Sequence, residues 1–160
     1  MVNSRTHADL SRDVQVDTQF HIASVRKTYI GFAAAYAIYN GYFSIDDPIR
    51  LFVEDSHLSA YEGVTIRHLL THTHGLRIVD GKLISEYIPG ESWAYRGPSI
   101  DLLTTIIQKT TGQSVADIVK EQVFEPVGFQ STKWIKMSQP HSKIADTIRD
   151  LDDPFGWRQM

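Results

Sequence analysis

There is no cysteine among the 160 residues. That excludes a disulfide frame, a thiolate nucleophile and any thiolate-held metal, and it leaves the redox compartment open. An excess of positive charge is lacking too. Lys and Arg number 16 against 19 Asp and Glu, for a formal net charge of −3. A chain without a basic field has no electrostatic footprint for nucleic acid. Long apolar runs are also missing. The longest, Tyr29 to Tyr39, falls well short of the roughly 20 residues that cross a bilayer. Residues 1–13 are polar and carry no apolar stretch of the signal-peptide kind. The chain as it stands therefore reads as cytoplasmic, unless an export signal once preceded it. Hydrophobic residues make up 42% and charged residues 22%, which suits a globular chain of one domain or a piece of one.

What is present is mostly helix signal. The run Thr28-Tyr-Ile-Gly-Phe-Ala-Ala-Ala-Tyr-Ala-Ile-Tyr39 is apolar on nearly every face, and an all-round apolar helix belongs in a core. Asn40-Gly41 should end it, because both residues tolerate the left-handed conformation. Asp46-Asp47-Pro48 reads as a helix start with an Asp cap and Pro at the first helical position, running to Phe52. Residues 54–63 read as a polar loop. Thr65 can cap a helix over Ile66–His72 that ends near Gly75. Asp80-Gly81 and Pro89-Gly90 are turn signals. Further helices are expected from Ser99 to Thr111, closed by Gly112, and from Val115 to Phe124, capped by Ser114. Few segments read as strands. No repeat or low-complexity tract is present.

Ser24 and Lys27 form an S-x-x-K tetrad at the head of the first helix. Positions i and i+3 share a helix face, so the amine can meet the hydroxyl. A lysine amine there can take the proton as the serine attacks a carbonyl. The helix N-terminus favours developing negative charge. Taken alone, the tetrad is more often just a surface Ser and Lys. His68, His72 and His74 form an H-x3-H-x-H cluster of the sort that holds zinc. No Glu is placed as in H-E-x-x-H, and packing or surface is the commoner role. Trp93, Trp134 and Trp157 read as core or surface rather than a ligand box, and Asp150–Asp153 as a solvated acidic turn.

Four ordered segments give the tetrad its context. They are Phe20-His-Ile-Ala-Ser24-Val-Arg-Lys27; Gly41 to Ile49, with Asp46-Asp47-Pro48; Val64 to Leu76, with Thr-Ile-Arg-His-Leu-Leu-Thr-His-Thr-His-Gly; and Pro89-Gly-Glu-Ser-Trp-Ala-Tyr95, followed by Thr111-Gly-Gln-Ser114 and Pro126-Val-Gly-Phe129. Together they resemble the serine β-lactamase and penicillin-binding-protein superfamily, in its branch of class C β-lactamases, D-alanyl-D-alanine carboxypeptidases and esterases. The resemblance spans roughly residues 17 to 135. It implies a mostly α chain: the helical domain of the β-lactamase-like α + α/β fold, with most of the sheet missing. It divides the sequence into a poorly structured segment 1–16, a helical domain 17–135 and an extension 136–160.

The resemblance also implies roles. Ser24 is the expected acyl-accepting nucleophile and Lys27 its activator. Tyr95 stands where the family's Y-x-N tyrosine relays a proton to the leaving group. The Ser24 N–H is an expected oxyanion donor. Neither a cofactor nor a metal is implied, and the partner is a small acyl substrate: an ester, a β-lactam or a D-amino-acid peptide. Three departures stand against activity. Gly97 replaces the Y-x-N asparagine. No K-T-G or H-x-G motif occurs before Met160. Residues 1–16 are too few for the family's N-terminal strands. Loss of one oxyanion donor alone costs about 100- to 1,000-fold. The alternative expectation is therefore a catalytically silent, truncated domain that binds or assembles, or needs a partner to complete its site. Apolar surface left without a sheet also points to self-association.

Overall fold

The structure, a computed structural model, describes residues 18–20, 22–53 and 58–134. The expectations for residues 1–16 and 136–160, including Trp157 and Asp150–Asp153, lie outside the described residues. The described residues divide into a compact unit within 24–128 and a second unit that includes residues 18–20, 22–23 and 129–134. In the second unit, the Gln19 amide donates to the Ser131 carbonyl.

The larger unit is built on helix α1, Arg26–Tyr39, entered through a tight 3-10 turn at Ala23–Val25. Its buried face carries Ile30, Ala33, Ala34 and Ala37. Small side chains at consecutive turns let neighbouring helices approach closely. Helix α2 is Ile66–Leu70, α3 is Pro98–Thr111 and α4 is Val115–Val119. Leu103, Ile106 and Ile107 of α3 and Ile118 and Val119 of α4 join the α1 face in one core. Tyr29 of α1 meets Phe124 edge-on, with ring centroids 5.3 Å apart.

The expectation that α1 is buried all round is corrected. Val25, Phe32 and Tyr39 are exposed, Tyr39 at 90%. Helices cover one side of α1 and leave the opposite stripe open. Its end falls where expected, with Asn40 capping and Gly41 at φ +77°. The Asp46–Phe52 helix is also corrected. Pro48 is extended rather than helical, and only a 3-10 turn at Ile49–Leu51 follows. Asp47 accepts from the Ser44 N–H at 2.7 Å instead of capping a helix. Helix α2 ends at Leu70, two residues before His72. The α4 helix continues to Phe124 as a wider π turn, in which Glu125 N–H donates to Lys120 O at 3.0 Å.

The stretch after Gly75, read as turns, contains a hairpin. β1, Leu76–Val79, pairs antiparallel with β2, Lys82–Ser85. Asp80 at φ +50° and Gly81 at φ +75° make the two-residue turn. Asp-Gly is suited to it because both central residues need positive φ.

Two of the sequence segments that carry the resemblance pair with each other. Ile49 N–H donates to Val64 O at 3.0 Å, Ile66 N–H to Asp47 O at 3.1 Å and Arg67 N–H to Ile45 O at 2.7 Å. Arg67 adds a forked pair to Asp46 at 2.7 and 2.9 Å. That guanidinium holds the Asp46 carboxyl below its ordinary range.

Candidate active site

Ser24 lies in the 3-10 turn ahead of α1 and Lys27 in the first turn of the helix. The residue before the serine, Ala23, sits at φ +43°. An alanine in that region is strained, and such strain gathers at functional positions. The Lys27 Nζ donates to Ser24 Oγ at 2.9 Å and to Tyr95 Oη at 2.5 Å. The tetrad and the distant tyrosine thus meet at one lysine nitrogen. The hydrogen bond from Lys27 chiefly, and one with Ser24 after it, draw the Tyr95 phenol below its ordinary pKa.

Tyr95 is carried on the loop Trp93–Gly97, between the hairpin and α3. Gly97 takes the N-cap position of α3 and Pro98 its first turn. The loop is held from the hairpin side by Glu86, which pairs with Arg96 and, at 2.7 Å, with Arg77. Those two cations, Arg77 first, keep Glu86 ionised below its usual range.

The three histidines do not converge. His68 closes the N-terminus of α2: its Nδ1 accepts from Thr65 N–H at 3.2 Å. His72 lies beside Tyr95, with ring centroids 4.9 Å apart. His74 Nδ1 accepts from Leu76 N–H at 2.8 Å. Among the described residues no group of three His, Asp or Glu is placed to hold a metal. The sequence reading weighed His72 only as part of a metal cluster and missed its place against Tyr95. No local signal reports a contact with a residue so far along the chain.

His74 is wholly buried, and burial pushes its pKa down to about 4. Among the described residues its Nε2 has no hydrogen-bond partner, so the site favours the neutral ring. The unfolded chain takes up a proton near pH 6.5, while the folded chain resists until about pH 4. Stability is therefore full above pH 6.5 and falls as the pH drops from there to about 4. The expected loss is on the order of 2–3 kcal/mol. Urea titrations at pH 7 and pH 4.5 check this against His74→Ser. A variant whose pH slope equals that of the parent would sink the assignment.

A helical unit that brings an S-x-x-K tetrad onto a remote tyrosine narrows the class, and comparison with known proteins names it. The sequence profile of the Beta-lactamase family matches residues 2–157. The chain belongs to that family. Its described part is a helical portion of the β-lactamase-like fold, with only a two-stranded sheet among the described residues. It is 51% identical over 149 residues to an uncharacterized protein of Alkalihalophilus pseudofirmus, covering 93% of this chain and 43% of that one. It is 27% identical to penicillin-binding protein 4* of Bacillus subtilis, covering 76% of this chain and 32% of the relative. The octameric penicillin-binding protein homologue of Pyrococcus abyssi superposes with a TM-score of 0.68 at 25% identity, over 85% of this chain and 38% of that one. The chain thus spans less than half the length of these relatives. No helix among the described residues is long and apolar enough to cross a membrane.

Proposed function

We propose that this chain is a β-lactamase-related serine hydrolase that opens an ester, amide or β-lactam carbonyl through an acyl-enzyme on Ser24. The observation that carries the reading is the single Lys27 amine shared between Ser24 Oγ and Tyr95 Oη. In this mechanism Ser24 Oγ bonds to the carbonyl carbon and its proton passes to the Lys27–Tyr95 pair. The carbonyl electrons move onto oxygen, facing the Ser24 N–H. When the carbonyl re-forms, the bond to the leaving group breaks, and Tyr95 returns the proton to it. Water then releases the acyl group by the reverse use of the same groups. A phenol with a lowered pKa is suited to this relay, because it can hold or give a proton nearer working pH.

The test is intact mass after incubation with a labelled penicillin and, separately, a fluorophosphonate, with Ser24→Ala as control. An adduct that vanishes in the variant supports an activated Ser24. No adduct with either probe on folded protein rejects the reading and favours the second one, a silent domain of this family that binds or assembles. Self-association belongs to both readings. The open stripe of Val25, Phe32 and Tyr39 and the octameric relative support it. A sharp monomer peak in light scattering on the same sample would remove it.

A further inference from the structure

We propose that His72 is the positioning residue of this site: it holds the loop of Tyr95 at Ala94 and Tyr95 directly and at Arg96 through Ser99, and presents the phenol to Lys27. The inference rests on the hydrolase reading for its consequence, but not for its geometry.

The grip has three parts. The His72 carbonyl accepts from the Ala94 N–H at 3.0 Å. Its ring packs on Tyr95 at 4.9 Å and a tilt of 43°. Its Nδ1 lies 3.2 Å from Ser99 Oγ, and Ser99 Oγ donates to the Arg96 carbonyl at 3.0 Å. Ser99 is wholly buried. Its one proton is committed to Arg96, so its oxygen accepts from a protonated His72 Nδ1. Ala94 and Tyr95 are thereby held by His72 directly, and Arg96 through Ser99. The ring is locked through Ser99, which sits at the start of α3.

This arrangement has a backbone cost. His72 stands at φ +57°, a conformation that side-chain-bearing residues adopt rarely. A strained residue persists where its surroundings over-determine it, and here those surroundings are the Tyr95 loop. Two of the three described non-glycine residues with positive φ, Ala23 and His72, flank Ser24 and Tyr95; the third, Asp80, makes the hairpin turn. Gly97 brings no side chain of its own to brace the loop, so the brace comes from outside it. The charged and titratable groups acting on Tyr95 are Lys27 and Arg26 from α1, and His72 itself packs on the ring.

The experiment uses the full chain and two variants. His72→Asn keeps a residue that tolerates the left-handed backbone and keeps the carbonyl for Ala94, but removes the ring. Ser99→Ala leaves residue 72 untouched and unlocks the ring. Two readouts are taken on each: the rate of Ser24 labelling by a fluorophosphonate, and the pH titration of the Tyr95 phenol by ring-carbon NMR, assigned with Tyr95→Phe. In His72→Asn, labelling is expected to slow about 10- to 30-fold, and Tyr95 to titrate closer to 10. Ser99→Ala shifts both readouts in the same direction by less. Folded variants that label at the parent rate with an unchanged Tyr95 titration overturn the proposal. If the parent takes no label, the hydrolase reading fails separately. The Tyr95 titration alone then decides whether His72 positions the phenol. If His72→Asn does not fold, Ser99→Ala decides on the same two readouts.

Discussion

Lys27→Ala is expected to slow acylation of Ser24 by on the order of 1,000-fold, about 4 kcal/mol in the barrier. The lysine amine makes both contacts that join the site, to Ser24 Oγ and to Tyr95 Oη. Removing it takes away the nitrogen that the nucleophile and the relay share. It also removes the largest cause of the lowered Tyr95 pKa. Residual labelling should therefore rise only at higher pH than in the parent, because the phenol ionises with less help. Alanine is a strong helix former, so the first turn of α1 should survive and the loss should be kinetic. The measurement is the second-order labelling rate from pH 6 to pH 10, with melting temperature as the fold control. A rate within twofold of the parent, with the same pH profile, would reduce the tetrad to a surface Ser and Lys.

Gly75→Ala is expected to cost about 3–4 kcal/mol of stability. Gly75 has φ +71°, and a Cβ there would lie 2.2 Å from the Tyr87 carbonyl oxygen. Neither side can give way easily. The contact is with backbone, and Gly75 O already accepts from Glu86 N–H at 2.8 Å. Strain at positive φ and a forced backbone shift therefore add. Gly81 supplies the contrast. Its φ is +75°, yet nothing lies within 4 Å of its missing Cβ, so Gly81→Ala should cost only about 1 kcal/mol. Urea unfolding of the two variants separates close approach from backbone conformation. Equal losses would show that the Tyr87 contact is soft.

Much of the scaffold was legible because its signals are local. Asn40-Gly41, Thr65, Gly112 and Ser114 act on the next turn of backbone, so helix ends could be read at each of them. The hairpin at Asp80-Gly81 was legible in part. Its turn was marked, but Leu76–Val79 and Lys82–Ser85 have largely exposed side chains, so the buried-exposed alternation that marks a strand is weak. Pro48 misled for a related reason. Proline at a fixed φ serves a helix start and an extended residue equally, and the choice was made by pairing across to Thr65. The apolar run of α1 showed that the helix has a core to join, but not which stripe its partners would cover.

The candidate site divides the same way. The S-x-x-K spacing determined that Ser24 and Lys27 meet, since side chains three residues apart share a face across the 3-10 turn and the first turn of α1. The four ordered segments determined the family. Tyr95 came from the resemblance and not from spacing, because 68 residues separate it from Lys27. Three histidines that looked alike in the sequence were assigned different work only by tertiary structure: His68 to a helix cap, His72 to the Tyr95 loop, His74 to the buried interior. Local chemistry along a chain determines turns, caps and neighbouring contacts. Which distant groups share a hydrogen bond, and which ring is buried, depends on packing between segments that no short window contains.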